Sequence, residues 1–97
     1  MNNKVVYIAG KITGDKDYKA KFKRYEEKYK AMGYVVFNPT ILPESEHIDY
    51  EEYMSLCLTM VEIADKIIML PDWENSKGAI RENVRAITYG KEIIYEV

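Results

Sequence analysis

DKIIMLPDWENSKGAIRENVRA, residues 65–86, reads as a buried strand, a loop and the opening of a helix. The short apolar run Ile67-Ile68-Met69-Leu70 suits a central parallel strand covered on both faces, and Pro71 ends it. Asp72-Trp73-Glu74-Asn75 is a polar loop carrying one large aromatic. Ser76-Lys77-Gly78-Ala79 then opens a helix that Ser76 can cap. A strand that delivers its carboxyl end to a helix N-terminus builds an anion site, because the first backbone N–H groups are unpaired. Gly78 lets a ligand approach the backbone, and Gly78, Ala79 and Glu82 share one helix face. A carboxylate therefore stands one turn behind a phosphate-sized cradle.

Outward from this stretch the chain alternates. Val5-Val6-Tyr7-Ile8-Ala9 reads as a central strand, followed by the glycine-bracketed loop Gly10-Lys11-Ile12-Thr13-Gly14-Asp15. Tyr18, Phe22, Tyr25, Tyr29 and Met32 recur at helical spacing, and Gly33 stops that helix. Tyr34 to Phe37 is a second strand ended by Asn38-Pro39, and residues 40–48 have no regular period. Asp49 can cap a further helix, with Tyr50, Tyr53, Met54, Cys57, Val61 and Ala64 on its stripe and Leu56, Leu58, Met60 and Ile63 widening it. That breadth predicts either deeper burial than the first helix or a subunit contact. Ile80, Val84 and Ile87 form the apolar stripe of the last helix, which Gly90 ends before the strand Ile93-Ile94-Tyr95.

The order βαβαβαβ predicts an α/β, three-layer, flavodoxin/Rossmann-like domain over residues 1–97. Its four-stranded parallel sheet has strand order 2-1-3-4. Ligands bind such sheets at the switch point, here between the first and third strands, outside their carboxyl ends. The loop after Ala9 and the loop from Asp72 to Gly78 converge there by topology alone.

Composition excludes several classes. Fourteen basic and sixteen acidic residues leave a net charge of −2, so there is no global pull toward nucleic acid or an anionic membrane. One cysteine allows no internal disulfide, no apolar run reaches membrane-span length, and Met1-Asn2-Asn3-Lys4 leads into a strand rather than a signal peptide. A cytoplasmic setting is expected. His47 has no ligand partner at metal spacing, so neither metal nor cofactor is expected. Nine tyrosines in so short a chain suit a small core or an interface. The lysine-rich first helix and the acidic segment from Glu44 to Glu62 could meet in a homodimer or higher homo-oligomer.

Spacing alone leaves two readings of Glu82: a surface glutamate pairing with Lys77, Arg81 or Arg85, or an acid inside the crevice. Tyr7 is either core or a hydroxyl reaching that acid. Gly10 to Gly14 lacks the spacing of a dinucleotide fingerprint or a P-loop, although Lys11 and Thr13 could meet a phosphate. Trp73 is a packing lid or a nucleobase stacker. Asp65 caps or pairs locally, and Cys57 is a buried thiol.

The ordered set Tyr7-Ile8-Ala9-Gly10, Gly14, Gly33-Tyr34, Asn38-Pro39, Ala64-Asp65, Leu70-Pro71, Trp73-Glu74-x-Ser76-x-Gly78-Ala79-x-x-Glu82, Ala86 and Gly90-Lys91 resembles the nucleoside 2-deoxyribosyltransferase-like superfamily. It looks nearest to a small bacterial and phage family of that fold. The resemblance implies Glu82 as nucleophile at the anomeric carbon and Tyr7 as its hydrogen-bonding orienter. It also implies Gly10, Lys11, Thr13, Ser76 and Gly78 as phosphate or sugar contacts, and Gly14 and Trp73 stand beside them as candidate contacts of a small nucleoside or nucleotide. The chain departs from the pattern at two places. Cys57 stands where the superfamily's enzymes carry an aspartate, and Thr13 stands where the nucleotide-hydrolase branch has an arginine. Asp72 is the candidate for a compensating acid. The implied activity is cleavage or transfer of the N-glycosidic bond of a deoxyribonucleoside or its 5′-monophosphate. The alternatives are a non-catalytic nucleotide-binding module and a structural oligomer.

Overall fold

A computed structural model describes residues 4–97; the expectation for Met1-Asn2-Asn3 lies outside the described residues. The elements follow in the order β1 (Val5–Ala9), α1 (Tyr18–Ala31), β2 (Val35–Phe37), α2 (Tyr50–Ile63), β3 (Lys66–Met69), α3 (Lys77–Thr88) and β4 (Glu92–Tyr95). Single 3₁₀ turns lie at Pro39–Ile41 and Trp73–Asn75. The sheet is wholly parallel with order β2-β1-β3-β4, as the alternation predicts.

Period-two alternation along β1 and β3 separates two cores. Val6, Ile8, Ile68 and Leu70 face α1 and pack on Phe22 and Tyr29. Tyr7, Ala9, Ile67 and Met69 face the other way and pack on Cys57 and Val61 of α2 and on Ala79 and Ala86 of α3. Tyr7, the middle residue of β1 and paired in register with Ile67, sits on the two-helix side. Asp65 departs from the expected local role. Its carboxylate accepts from Val5 N–H at 2.9 Å, locking the starts of β1 and β3 together.

Helix ends follow the residues. The Asp49 carboxylate accepts from Glu52 N–H at 2.8 Å while the Glu52 side chain accepts from Asp49 N–H at 2.9 Å, a reciprocal capping box. Gly33 ends the turn after α1 at φ 96°, a conformation costly for residues with a Cβ.

Two stripe expectations need correction. Met32 is exposed beyond the end of α1. On α3 the inversion is complete: Ile80, Val84 and Ile87 are 41, 56 and 61% exposed, whereas Ala79, Glu82, Asn83 and Ala86 are buried. Periodicity locates an apolar face but not what it faces. The small Ala79 and Ala86 let α3 settle closely on the sheet, and that placement turns Glu82 inward. Leu56 and Ile63, on the widened stripe of α2, are likewise exposed.

Candidate functional site

A cavity of about 810 Å³ opens at the carboxyl ends of β1 and β3. Its walls come from five segments: β1 with the loop after it, the first residue of α1, residues 39–45 after β2, the first two turns of α2, and the start of α3. Glu82 lies at its floor with 5% of its surface exposed, which removes the surface-pair reading. Tyr7 Oη donates to Glu82 Oε2 at 2.6 Å, within the range of a charge-assisted O–H···O⁻ bond. Among the described residues no cation forms an ion pair with Glu82; the nearby Arg81 is held by Glu51 through two contacts of 3.0 and 3.1 Å.

Burial governs the electrostatics of this floor. It pushes the Glu82 carboxyl up to about 8, and the hydrogen bonds from Tyr7 and Cys57 and the pull of Arg81 only partly oppose it. Burial and then the facing carboxylate push the Tyr7 hydroxyl well above its ordinary value. The same two causes raise the Cys57 thiol to about 11, so it keeps its proton and is a poor nucleophile.

The helix start supplies the opposite character. Ser76 Oγ accepts from Ala79 N–H at 3.1 Å, as expected of a cap. The N–H groups of Lys77 and Gly78 belong to the first turn, which has no intrahelical acceptors. Ser76, Lys77, Gly78 and Ala79 all line the cavity, as do Lys11 and Thr13 from across the switch point. Gly10 has a structural reason to be glycine: a Cβ there would meet Leu70 at 2.9 Å. At Gly78 a Cβ would approach Met54 Sδ to 3.2 Å, so the small residue also serves the α2–α3 packing.

Three expected site residues sit elsewhere. Gly14 is outside the cavity wall, at the far end of its loop with φ 86°. Trp73 lies off the cavity wall, tilted against Tyr95 with ring centroids 5.8 Å apart and packed on the core. Asp72 also lies off the cavity wall. One of its oxygens accepts from Lys11 N–H at 3.1 Å and the other pairs with Lys21, which also contacts Lys11 O at 2.8 Å and Asp15 at 2.6 Å. Lys21 is therefore a latch that fixes the Gly10–Asp15 loop, and Asp72 is part of that latch.

Sequence reasoning missed one wall. Tyr18, Tyr50 and Tyr53 line the cavity although they read as helix-stripe residues, and Thr40, Leu42 and Glu44 line it from a segment with no pattern. Topology held the signal: β2 is parallel to β1, so the loop after Phe37 must leave on the same side of the sheet. Tyr18 donates to Glu44 and Tyr53 donates to Pro43 O, tying that loop to α1 and α2.

This fold is shared with solved 2-deoxyribosyltransferases. The chain is similar to the 2-deoxyribosyltransferase from the psychrotolerant bacterium Bacillus psychrosaccharolyticus, with TM-score 0.74 and 20% identity over 94% of this chain and 70% of that one. It is similar also to the 2-desoxiribosyltransferase from Leishmania mexicana, with TM-score 0.75 and 22% identity over 95% of this chain and 63% of that one. At these identities the likeness is one of fold, and the chain spans under two thirds of the Leishmania protein. Comparison with curated proteins gives no match. By its residues 4–95 the chain belongs to the family described as a domain of unknown function, DUF4406.

Among the described residues no helix is long and apolar enough to cross a membrane, and no group of three or more His, Cys, Asp or Glu is placed to hold a metal ion.

Proposed function

We propose that this domain cleaves or transfers the N-glycosidic bond of a deoxyribonucleoside or related nucleoside, or of its 5′-monophosphate, with Glu82 as nucleophile and Tyr7 as its positioning group. One observation carries the reading: a carboxylate buried at a cavity floor, aligned by a tyrosine hydroxyl at 2.6 Å, beneath a helix N-terminus that lines the same cavity. The carboxylate attacks the anomeric carbon through an oxocarbenium-like transition state, and water or a second base completes turnover. Lys11, Thr13 and the first turn of α3 would hold the 5′ end. The resemblance and the shared fold support these roles.

Cys57 favours a second reading, a binding module. A thiol that keeps its proton cannot replace the carboxylate that the resemblance implies at that position. Incubation with a panel of deoxyribonucleosides and their monophosphates, followed by chromatography for free base, separates the two. Base released by the native chain and lost in Glu82→Gln, by on the order of a thousandfold, is the enzyme result. Micromolar binding by calorimetry without base release is the module result. Release that is unchanged in Glu82→Gln would refute the nucleophile assignment.

The homo-oligomer reading moves to a different surface. The acidic segment already has partners within the chain, since Glu51 pairs with Arg81, Glu62 with Arg85 and Glu44 with Tyr18. The exposed stripe Ile80-Val84-Ile87 runs along α3 beside those arginine–glutamate pairs, which flank it on the α2 side. It offers a second copy an apolar strip with one charged margin that carries both signs, a self-complementary pattern suited to a two-fold interface. Light scattering should show Val84→Asp with a smaller mass than the native chain, and equal masses would remove this surface.

A further inference from the structure

Among the described residues the cavity holds one buried carboxylate, Glu82, and no second acid placed to protonate a departing base. A nucleophile at C1′ approaches from the face opposite the leaving nitrogen, so Glu82 cannot serve both sides. Cys57, the other titratable group of α2 at the floor, lies beside Glu82 and Tyr7 rather than across the cavity from them. Glu44 is exposed at the mouth and holds the Tyr18 hydroxyl. Asp72 is taken up by the Lys21 latch, off the wall. Ordinary purine and pyrimidine glycosides need a proton on the base as the bond breaks, and general acid catalysis of that kind supplies about 10²–10⁴-fold.

The walls also divide by charge. Lys11, Lys77 and the α3 N-terminus make one end suited to an anion. The remainder presents the unpaired Glu82 carboxyl and the rings of Tyr18, Tyr50 and Tyr53, surfaces that attract a cation. Two of these rings already have cations of the chain beside them, Lys19 at 5.9 Å from Tyr18 and Arg81 at 5.7 Å from Tyr50. The complement of the whole cavity is a zwitterion, anionic at the 5′ end and cationic at the base.

We propose that the site takes glycosyl 5′-phosphates whose base already carries a positive charge, a pyridinium or a 7-alkylpurinium, and cleaves them without protonating the leaving base. This rests on the glycosidase reading and names its substrate class. Glu82 Oε forms a bond to C1′ as the C1′–N bond breaks. The bonding pair moves onto the ring nitrogen and cancels its charge, so the base departs neutral. Water then attacks C1′, Glu82 is released as a carboxylate, and one proton passes to solvent. The cationic ring also favours ionisation of the carboxyl that burial otherwise holds protonated. Substrate binding thereby generates the nucleophile.

The test compares matched pairs on the native chain, with Glu82→Gln as the correction for spontaneous loss. 7-Methylguanosine 5′-monophosphate is set against guanosine 5′-monophosphate, the corresponding 2′-deoxy pair is run beside it, and nicotinamide mononucleotide is the pyridinium case. Release of 7-methylguanine or nicotinamide that needs Glu82, with the neutral partner about a hundredfold slower or more, is the expected result. Comparable release from charged and neutral partners would overturn the substrate class and leave the glycosidase standing. Glu82-independent release, or none from any member, would overturn both.

Discussion

Helices α1 and α3 cover opposite faces of one sheet and follow opposite rules. On α1 the aromatic stripe turns inward: Phe22 and Tyr29 are buried among Val6, Ile8, Ile68 and Leu70, and the lysines other than Lys21 face water. On α3 the aliphatic stripe turns outward, and a glutamate and an asparagine are buried with two alanines. Asn83 has a partner, donating to Tyr95 Oη at 3.0 Å, and Glu82 has Tyr7. The α1 side is arranged for stability. The α3 side gives up apolar burial to hold a carboxylate in a dry place, and a fold retains such a choice where the carboxylate has work to do.

The contrast is broken most forcefully at Phe22. Phe22→Ala removes the largest fully buried side chain of α1 and should cost about 3–5 kcal/mol, read by urea unfolding with an unchanged m-value. If the loss is no greater than that of an exposed residue, the α1 face is not the stabilising one.

Glu82 sharpens the other side through pH. Its carboxyl titrates at about 8 in the fold against an ordinary value of 4.5, so the folded state binds the proton more tightly. The stabilisation from that proton is complete below pH 4.5 and is lost as pH rises through 8. Between those limits the loss runs at about 1.4 kcal/mol per pH unit. Glu82→Gln carries no such proton. Its stability relative to the native chain should rise across this window and level off above it. Parallel stability curves for the two proteins from pH 5 to 9 would place Glu82 in a wetter site than the structure gives it.

Much of this was legible in the residues. Alternating periodicity and the stops at Gly33, Pro71 and Gly90 specified the strand order, because local signals dominate where parallel strands and crossovers repeat. The Ser76 cap and the inward pairing of Tyr7 with Glu82 followed from topology plus the superfamily resemblance. What stayed hidden depended on contacts distant in sequence. Nothing local shows that Lys21 reaches Asp72, fifty-one positions away, or that Trp73 finds Tyr95 instead of the crevice. The inversion of α3 was hidden for a related reason. A hydrophobic stripe at helical spacing reads the same whether the sheet or a second subunit covers it.

Tyr7 tests how the dry carboxylate is poised. Tyr7→Phe keeps the ring in the core and removes only the hydroxyl that donates to Glu82. A hydrogen bond to a charged acceptor contributes about 1.5–3 kcal/mol, so its loss should lift the Glu82 titration by about a unit or more. With base release as the assay, the rising limb of kcat/KM against pH moves to higher pH by that amount, while rates well above pH 9 recover. A uniform loss at every pH would mean that the hydroxyl acts on the substrate instead of on Glu82.

The smallest effect is expected on the outward stripe. Val84→Ala shortens a side chain that is 56% exposed, and in a dilute, dissociated sample it should change unfolding free energy by no more than about 0.5 kcal/mol. If a second copy covers the stripe, the same substitution acquires a concentration dependence. Burying a valine against a partner contributes by mass action, so the difference between native and variant midpoints widens as protein concentration rises. A difference that is small and constant from low to high concentration would mean that nothing covers α3 from outside. The exposed aliphatic face would then be a consequence of turning Glu82 inward, since a helix with one polar face committed to the sheet has only its apolar face left to show to water.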